Sequence, residues 1–446
     1  MRADIGDRAT GDRPVTDREA AGGSALGSVD RTASAADRTE LAHRAATAER
    51  VPPPAERVPP PAERVEVRIA KFHTPEIIVG SGSLDEVPQA AGGLGMRRLL
   101  VVSDRPLVAT PWYPELAQSL RHAGLRVSSF TGVSPNPRAP EIAAGFEQYE
   151  QAGADGIVAL GGGSVIDAAK GIAILAANGG HILEYEGIDR ARRPLPPLVA
   201  VPTTAGSGSD VSQFCIVNDV DRMTKVTIIG RGLVPDVSVI DPRTLATLPP
   251  AVAAQSGMDA ITHCIEAYAS RAHTRLTDST ALRAIATAWA HIERFVDAPD
   301  DPDAGIEMAY AALEAGMSFT NAILGATHAM SHPVGGRCDA PHGAINAVLL
   351  PHVIRFNAEA DPAPFVRLAA AVGISGPTPH ATAELFADAV ASLARRVGLP
   401  SRLRELGVVE SDIPTVTAHA MVDACMATNP RQPTAAEVAR IYAEAL

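Results

Sequence analysis

The chain has 446 residues, of which 46% are hydrophobic and only 4% aromatic, and its formal net charge at pH 7 is -12. This length favours two or three domains, and the acidic balance excludes general binding to nucleic acids or anionic membranes, which requires basic patches. No apolar run is long enough to span a membrane, and the start “MRADIGDRATGDRPV” lacks the apolar segment of a secretory signal, so we expect a cytoplasmic protein.

Residues 1–65 differ in composition from the rest of the chain. They contain no Phe, Trp, Tyr or Cys, and they end in the repeat “ERVPPPA” at 49–55 and 56–62. Such a segment cannot bury enough apolar surface to offset the entropy of ordering it, and its proline triplets favour extended polyproline II. We expect a disordered extension that is either a docking arm for a partner or dispensable.

From residue 66, short β-branched runs alternate with amphipathic stretches. The runs predicted as strands are “RRLLVVSD” (97–104), “RVSSF” (126–130), “DGIVALGGG” (155–163), “PLVAVPTT” (197–204) and “VSVIDP” (237–242). Strands that alternate with helices are typical of a parallel sheet covered by helices. The sequence therefore predicts an α/β, Rossmann-like nucleotide-binding domain over residues 66–246.

After “LATLPP” (245–250) the β-branched runs stop. The remaining apolar patterns are helical, as in “AVAAQSGMDAITHCIEAYAS” (251–270) and “STALRAIATAWAHIERFV” (279–296). Helical periodicity sustained in this way favours a second, all-α domain over residues 247–446.

A glycine-rich turn, “ALGGGSVIDAAKGIA” (159–173), follows one predicted strand and opens a helix. Gly161, Gly162 and Gly163 allow backbone conformations closed to other residues and let a ligand approach the amide groups. Ser164 can cap the helix, whose N-terminus favours a phosphate. The motif is neither GxGxxG nor Walker A, and a simple tight turn is the alternative.

A second polar turn, “VPTTAGSGSD” (201–210), ends another predicted strand and offers hydroxyl groups and free backbone. Two such loops at the carboxyl ends of neighbouring strands mark the ligand crevice of an open α/β sheet. Asp104 ends the first predicted strand of the sheet, “RRLLVVSD”, where its carboxylate could accept hydrogen bonds from a ribose diol and repel a 2′-phosphate, favouring NAD over NADP. The alternative for Asp104 is a helix cap.

Histidines and one acid recur at helical spacing in the second half. Asp259 and His263 are four residues apart, His328 and His332 repeat that spacing, and His342 follows after a glycine-bearing turn. Residues four apart share a helix face, so imidazoles and a carboxylate could converge on Fe(II) or Zn(II). The alternative is that these are ordinary structural histidines.

Together these motifs resemble the iron-containing (group III) alcohol dehydrogenase family. The resemblance rests on “GGGSVIDAAKGIA”, “VPTTAGSGSDV”, “GMDAITHCIEAY”, “HAMSHPVGGRCDAPHGAINAVLLPH” and the later “NPRQPT”, and it covers the chain from about residue 67 to its end. It implies an N-terminal Rossmann-like domain and a C-terminal helical metal-binding domain, the architecture of dehydroquinate synthase. It also implies an NAD(H)-linked alcohol dehydrogenase or aldehyde reductase that acts on a small alcohol or aldehyde and forms a homodimer or larger homo-oligomer.

The resemblance also implies roles for particular residues. His332 would lie beside the nicotinamide and relay a proton. The metal, usually Fe(II), would be held by Asp259, His263, His328 and His342. The dinucleotide site would be lined by Asp104, Gly161, Gly162, Gly163, Ser164, Asp167, Thr203, Thr204, Ser207 and Lys225.

Arg337 lies in the histidine-bearing loop, where an apolar or aromatic residue is expected in relatives. An arginine here could bind a carboxylate, phosphonate or sulfonate on the substrate aldehyde, and the alternative is a surface or interdomain salt bridge.

Two other functions stay open at this point. One is a lyase of the dehydroquinate synthase type, although its phosphorylated sugar acid would need more basic residues in the cleft. The other is a non-catalytic metal- or nucleotide-binding protein whose proline-rich N-terminal arm carries the function.

Overall fold

A parallel sheet forms the base of the first half of the molecule. A computed structural model describes residues 71–446, and the extension predicted over 1–65 lies outside the described residues. The strands are β1 (Glu76–Val79), β2 (Arg98–Val102), β3 (Arg126–Phe130), β4 (Gly156–Gly161), β5 (Gly187–Ile188), β6 (Leu198–Pro202), β7 (Phe214–Asp219), β8 (Thr224–Ile229) and β9 (Val237–Ile240). Six of them form a sheet in the order β1-β9-β6-β4-β2-β3, and every pair in it is parallel.

Alternate residues of the central strands enter separate hydrophobic clusters on the two faces of this sheet. Leu100 and Ile157 pack into one cluster, whereas Leu99 and Val158 pack into the other. Helices cover both faces: α1 (Val87–Gly93), α2 (Arg105–Val108), α3 (Trp112–His122), α4 (Ala139–Gln151) and α5 (Gly163–Asn178). Burial on both faces explains why these strands read as continuous apolar runs.

The order of the strands brings three predicted loops to one edge. β6, β4 and β2 are neighbours, and each is parallel to the next. Asp104, the glycine-rich turn and the “TTAGSGS” turn follow the carboxyl ends of β2, β4 and β6. Because parallel strands share their carboxyl edge, these loops together form one wall of a crevice.

The structure contains a small second sheet that was not among the predicted elements. Its order is β5-β8-β7, and β7 and β8 form an antiparallel hairpin. The sequence did not predict this hairpin, because its turn, Val220–Met223, contains no Asn-Gly or Asp-Gly pair. Met223 instead adopts a positive φ of 49°.

The second half consists of helices. They are α6 (Pro250–Ala269), α7 (Arg275–Asp297), α8 (Pro302–Ala322), α9 (Ala326–Cys338), α10 (His342–Ala358), α11 (Ala363–Ala371), α12 (Pro379–Arg396), α13 (Ile413–Ala420) and α14 (Ala435–Ala445). Helix α6 is central, since every residue from Ser256 to Ala269 is buried. Its alanines and glycine let the neighbouring helices pack closely against it.

The predicted change from sheet to helices is confirmed in the described residues, where the last strand ends at Ile240 and helices follow from Pro250. Contacts join the described residues, 71–446, into one compact unit. The boundary near residue 247 therefore stays a prediction. Within the described part of the chain, no helix has both the length and the apolar character needed to cross a membrane.

Asp241, directly after β9, links the end of that strand to the segment that follows β1. Its carboxylate accepts hydrogen bonds from the backbone N–H groups of Gly82 and Leu84, both at 3.1 Å, and from the side chain of Arg243. Burial opposes the charge, but these donors outweigh it and hold the pKa of Asp241 below its usual range.

Asp241→Asn is expected to lower the free energy of unfolding at pH 7 by about 2 kcal/mol, the typical worth of hydrogen bonds to a charged group. A carboxyl whose pKa is depressed in the folded chain stabilises it above the unfolded pKa, and that stabilisation is lost as the pH falls through the folded pKa. Urea unfolding should therefore show the difference between Asp241→Asn and wild type shrinking in acid. A difference in unfolding free energy that stays constant down to acid pH would contradict this account. The control is Asp303→Asn, which changes an exposed aspartate.

Candidate metal and dinucleotide site

One large cavity, about 740 Å³, lies between the carboxyl edge of the sheet and the helices. Its wall includes the three sheet loops on one side and α6, α9 and α10 on the other. A volume of this size is within the range that accommodates a cofactor and a small substrate. The predicted dinucleotide and metal residues therefore face a common space.

The glycine-rich turn brings backbone amides to the cavity. Helix α5 begins at Gly163, directly after β4, so its first N–H groups have no intrahelical partner. A Cβ on Gly163 would lie 2.7 Å from Cβ of Ser207, and one on Gly162 would lie 3.0 Å from Cγ2 of Thr204. A side chain at Gly163 would therefore displace Ser207, and one at Gly162 would crowd Thr204. Glycine at both positions keeps the two polar turns close together and the amides accessible to an anion.

Most of the predicted dinucleotide residues line the cavity: Asp104, Gly162, Gly163, Ser164, Asp167, Thr203, Thr204, Ser207 and Lys225. Gly161 does not line it. A Cβ there would lie 2.5 Å from Cβ of Val165, so this glycine permits the turn itself to pack.

Asp104 combines both interpretations drawn from the sequence. One carboxylate oxygen caps α2 by accepting the backbone N–H of Leu107 at 2.9 Å, and the side chain also lines the cavity. Burial raises the pKa of Asp104 above its ordinary value. The carboxylate thus stands where a ribose could reach it.

Two charged groups of opposite sign face the same space. Burial lowers the pKa of Lys225 to about 8, against the attraction of Asp259 and Asp167. Burial likewise raises the pKa of Asp167 to about 6, although Lys170 and the backbone N–H of Ile216 favour the carboxylate. Oδ1 of Asp167 is buried, and no described residue lies within strict hydrogen-bond geometry of it.

Four side chains predicted as metal ligands converge at the helical wall. Nε2 of His263, His328 and His342 lies 3.8, 3.6 and 3.8 Å from Oδ1 of Asp259. The ligand atoms of Asp259, His328 and His342 all lie within 4.8 Å of one another, whereas His263 approaches Asp259 but lies outside that group. Ligand atoms about 2.1 Å from a tetrahedral ion are separated by roughly 3.4 Å, so a modest contraction would close the first three around one cation, with His263 moving further to join them. The residues present fit a divalent metal.

The charges of the cluster also favour a cation. Burial opposes the charge of Asp259, but the imidazoles of His263, His342 and His328 hold the pKa of this carboxyl far below its usual range. Burial would lower the pKa of His328, but Asp259 and Glu266 outweigh it and raise the value to about 9. The buried carboxylates thus favour a positive charge at this place, which a bound cation would supply.

Buried partners orient these rings. Nδ1 of His263 lies 3.1 Å from the carbonyl oxygen of Gly206, which leaves Nε2 for the cluster. Nδ1 of His328 lies 2.6 Å from Oε2 of Glu266, and Nδ2 of Asn346 donates to Oδ1 of Asp259 at 2.7 Å. Supporting contacts of this kind fix ligand orientation and raise ligand basicity.

Neither Glu266 nor Asn346 was expected from the sequence. Glu266 lies seven residues after Asp259 and Asn346 four after His342, so each shares a helix face with a proposed ligand. That spacing is the signal that could have revealed them.

His332 lies beside the cluster and lines the cavity. Its ring stacks on that of His342 with centroids 5.5 Å apart, and its Nδ1 lies 2.7 Å from Oδ2 of Asp423. A carboxylate at Nδ1 favours the tautomer with a proton there and leaves Nε2 as an acceptor. Asp423 was also not expected from the sequence.

The structure does not bring Arg337 together with the other predicted residues. Its Nε lies 2.6 Å from Oδ1 of Asp412, and the residue does not line the cavity. Arg337 therefore forms a salt bridge, which was the alternative interpretation of this residue.

Apolar side chains surround the cavity next to the cluster. Phe319 stacks on His263 with ring centroids 4.3 Å apart, and Phe214 lies 5.8 Å from Phe319. Leu324 and Ile216 also line this space. Groups of this kind exclude water from the proposed ligands.

Comparisons with known proteins identify the class and family of this chain. Residues 74–242 match the family described as iron-containing alcohol dehydrogenase, and residues 253–446 match the C-terminal part of the Fe-containing alcohol dehydrogenase family. The chain belongs to the iron-containing alcohol dehydrogenase family. It is therefore an oxidoreductase rather than a lyase or a non-catalytic binding protein.

Individual relatives align with this chain over most of their length. Alcohol dehydrogenase 4 of Schizosaccharomyces pombe is 40% identical over 379 residues, covering 85% of this chain and 89% of the relative. The 1,3-propanediol dehydrogenase of Klebsiella pneumoniae is 38% identical over 383 residues, covering 85% and 99%.

Solved structures confirm the predicted fold class. A 1,3-propanediol oxidoreductase superposes with a TM-score of 0.82 at 37% identity, covering 85% of this chain and all of that one (100%). An alcohol dehydrogenase from Oenococcus oeni gives a TM-score of 0.82 at 33% identity, with the same coverage of 85% and 100%. The family supports NAD(H) and a divalent metal as cofactors.

Proposed function

We propose that the chain is a metal-dependent, NAD(H)-linked alcohol dehydrogenase that interconverts a small alcohol and its aldehyde. The observation that carries this proposal is the convergence of three imidazole Nε2 atoms within 3.8 Å of one oxygen of Asp259. These groups face the same cavity as the glycine-rich turn. Hydride transfer needs a carbonyl group and a nicotinamide in such a shared, enclosed space.

Asp259, His263, His328 and His342 are the proposed ligands of one divalent ion. A set of three nitrogens and one oxygen suits Fe(II) or Zn(II), and the family favours Fe(II). When bound, the metal would polarise the carbonyl oxygen as a Lewis acid, and NADH would supply the hydride.

The sheet loops are the proposed dinucleotide site. The free amides at the start of α5 and the hydroxyl group of Thr204 suit a pyrophosphate, and Lys225 adds a positive charge. Ser164 also lines the cavity, but its hydroxyl donates to the carbonyl oxygen of Pro135. Asp167 lines the cavity, and Asp104 suits the diol of a ribose. In this arrangement the reactive end of a bound dinucleotide can extend toward the histidine cluster.

His332 is the proposed proton relay. Asp423 holds its Nδ1, so Nε2 can exchange a proton with the oxygen of the substrate, directly or through a water or ribose hydroxyl. Phe214, Phe319 and Leu324 exclude bulk water, which keeps this exchange specific to the bound substrate.

We expect the substrate to be small and uncharged. The space beside the proposed ligands is bounded by aromatic and aliphatic side chains, and Arg337 is committed to Asp412. Relatives at 34–38% identity are named for small neutral substrates, as in the lactaldehyde reductase of Escherichia coli and the propanediol dehydrogenase of Klebsiella pneumoniae. The idea that Arg337 binds an anionic aldehyde has no support in this geometry.

A panel of aldehydes tests this proposal. The full chain, purified without oxygen and loaded with Fe(II) or Zn(II), should oxidise NADH with short neutral aldehydes. It should do so poorly with aldehydes that carry a carboxylate, phosphonate or sulfonate. Preference for an anionic aldehyde that disappears in Arg337→Ala would overturn the assignment of a neutral substrate.

Asp104→Ser is expected to raise kcat/KM with NADPH by about tenfold to a hundredfold, because removing a nearby like charge relieves roughly 1–3 kcal/mol of repulsion on a 2′-phosphate. Serine still caps α2, so the fold of this loop should persist. Steady-state rates with NADH and NADPH measure the change, and Asp85→Ser, an exposed acid outside the cavity wall, is the control. An unchanged ratio of the two cofactors would remove Asp104 from the ribose site.

We further propose a boundary at residues 246 and 247 between the two parts, a homodimer or larger homo-oligomer, and a cytoplasmic location. The family resemblance supports the oligomer. Light scattering of the purified chain would test it.

A further inference from the structure

We propose that Glu266 is a positioning residue that sets how tightly this chain binds its divalent metal. The proposal rests on the metal-dependent function proposed above and adds a residue to it. Glu266 does not line the cavity and touches neither substrate nor cofactor in this arrangement. It acts through His328.

The contacts of Glu266 are unusually complete for a buried carboxylate. The residue is 5% exposed, and its Oε2 lies 2.6 Å from Nδ1 of His328. The same carboxylate accepts the backbone N–H groups of Thr327 at 2.6 Å and of Gly325 at 3.1 Å. Glu266 therefore both caps the start of α9 and orients the first imidazole on that helix.

These contacts place the proton of the His328 ring on Nδ1, the nitrogen on the side away from Asp259. The Glu266 carboxylate lies within hydrogen-bond distance of Nδ1 of His328 and accepts the backbone N–H of Thr327, and donors of this kind suit its charged form. A carboxylate at Nδ1 keeps a proton on that atom and makes Nε2 the better donor to a metal. Nε2 of His328 is the atom that faces Asp259.

The surroundings are built around this carboxylate. A Cβ on Gly325 would lie 3.0 Å from Oε1 of Glu266 and 2.9 Å from Oδ1 of Asn429. Asn429 accepts the N–H of Ala326 at 3.0 Å and is itself held by Asn357. The “NPRQPT” motif that begins at Asn429 thus completes the cap of α9, next to Glu266.

The other two imidazoles have weaker support. Nδ1 of His263 faces a neutral carbonyl, and Nδ1 of His342 is buried with no partner among the described residues. His328 is the proposed ligand with a charged partner, since its bond to Glu266 is charge-assisted. The donor strength of the whole set therefore depends most on Glu266.

Glu266→Gln in the full chain tests the proposal. Glutamine keeps the size but removes the charge, and its single acceptor oxygen can replace only one of the two carboxylate oxygens that hold Thr327 and His328. We expect metal affinity to fall about 10- to 100-fold. Competition with a chelator, with Zn(II) or Co(II) as the probe, measures this directly and does not depend on activity. The matched control is Glu314→Gln, which removes another buried carboxylate, 6% exposed and paired with Arg283, and should leave metal affinity unchanged.

Three outcomes are distinguishable. Wild type that binds metal while Glu266→Gln binds it equally well would overturn the role of Glu266 and leave the proposed function intact. Wild type that binds no metal at these residues would overturn both. If Glu266→Gln fails to fold, NMR of ¹⁵N-histidine in the zinc-loaded wild type decides: a proton on Nδ1 of His328 is expected, and a proton-free Nδ1 would refute the proposal.

Discussion

His263→Ala is expected to lower kcat for aldehyde reduction by at least about a thousandfold, with little change in the folded structure. A Lewis acid contributes several kcal/mol to stabilising the developing charge, and each 1.4 kcal/mol is roughly tenfold in rate. The variant removes one of three nitrogens around Asp259 and leaves a small cavity beside Phe319. Metal content and NADH oxidation, measured on the same sample, should fall together.

The control for this variant is His291→Ala. His291 lies on α7, where its Nδ1 contacts the carbonyl oxygen of Thr287, and it does not line the cavity. Its loss should leave metal content and rate near wild type. If His263→Ala kept both its metal and its rate, His263 would not be a ligand.

Gly206→Ala is expected to destabilise the chain by about 3 kcal/mol and to weaken metal binding, because overpacking against fixed backbone has no cheap relief. A Cβ on Gly206 would lie 2.1 Å from the backbone oxygen of Ser256 on α6. The turn must move away, and the Gly206 carbonyl that orients His263 moves with it.

Urea unfolding and a metal titration measure the two effects of Gly206→Ala. Gly232→Ala is the matched control, since its Cβ would meet no atom within 4 Å and its φ is not positive. Near-wild-type stability and metal affinity in Gly206→Ala would show that the contact of this turn with α6 does not support the cluster.

The parts of the fold that local pattern determines could be predicted from the sequence. Continuous apolar runs mark the strands of the parallel sheet, and the polar loops that end β2, β4 and β6 meet because parallel strands share an edge. The spacing of Asp259 and His263 and that of His328 and His332 place each pair on one helix face. That three imidazoles approach one carboxylate, however, depends on how α6, α9 and α10 pack, which spacing does not specify.

The contacts that tune the site could not be predicted in this way. Glu266 and His328 are 62 residues apart, and Asp423 and His332 are 91 apart, so only tertiary packing brings them together. Arg337 is a case in which the sequence suggested a role that the structure does not support. From the sequence, Arg337 could bind an anionic substrate or form a salt bridge, but the sequence could not name the partner, which is Asp412, 75 residues later.

Metal content measured together with NADH-dependent aldehyde reduction tests the central claim most directly. The full chain should be purified without oxygen, assayed, stripped with a chelator and reloaded with Fe(II) or Zn(II). We predict about one divalent ion per chain, loss of activity on stripping and its return on reloading, because one set of ligands serves one Lewis acid. A stripped chain that reduces the aldehyde at the full rate would contradict the account, and so would a loaded chain that binds NADH but reduces no aldehyde.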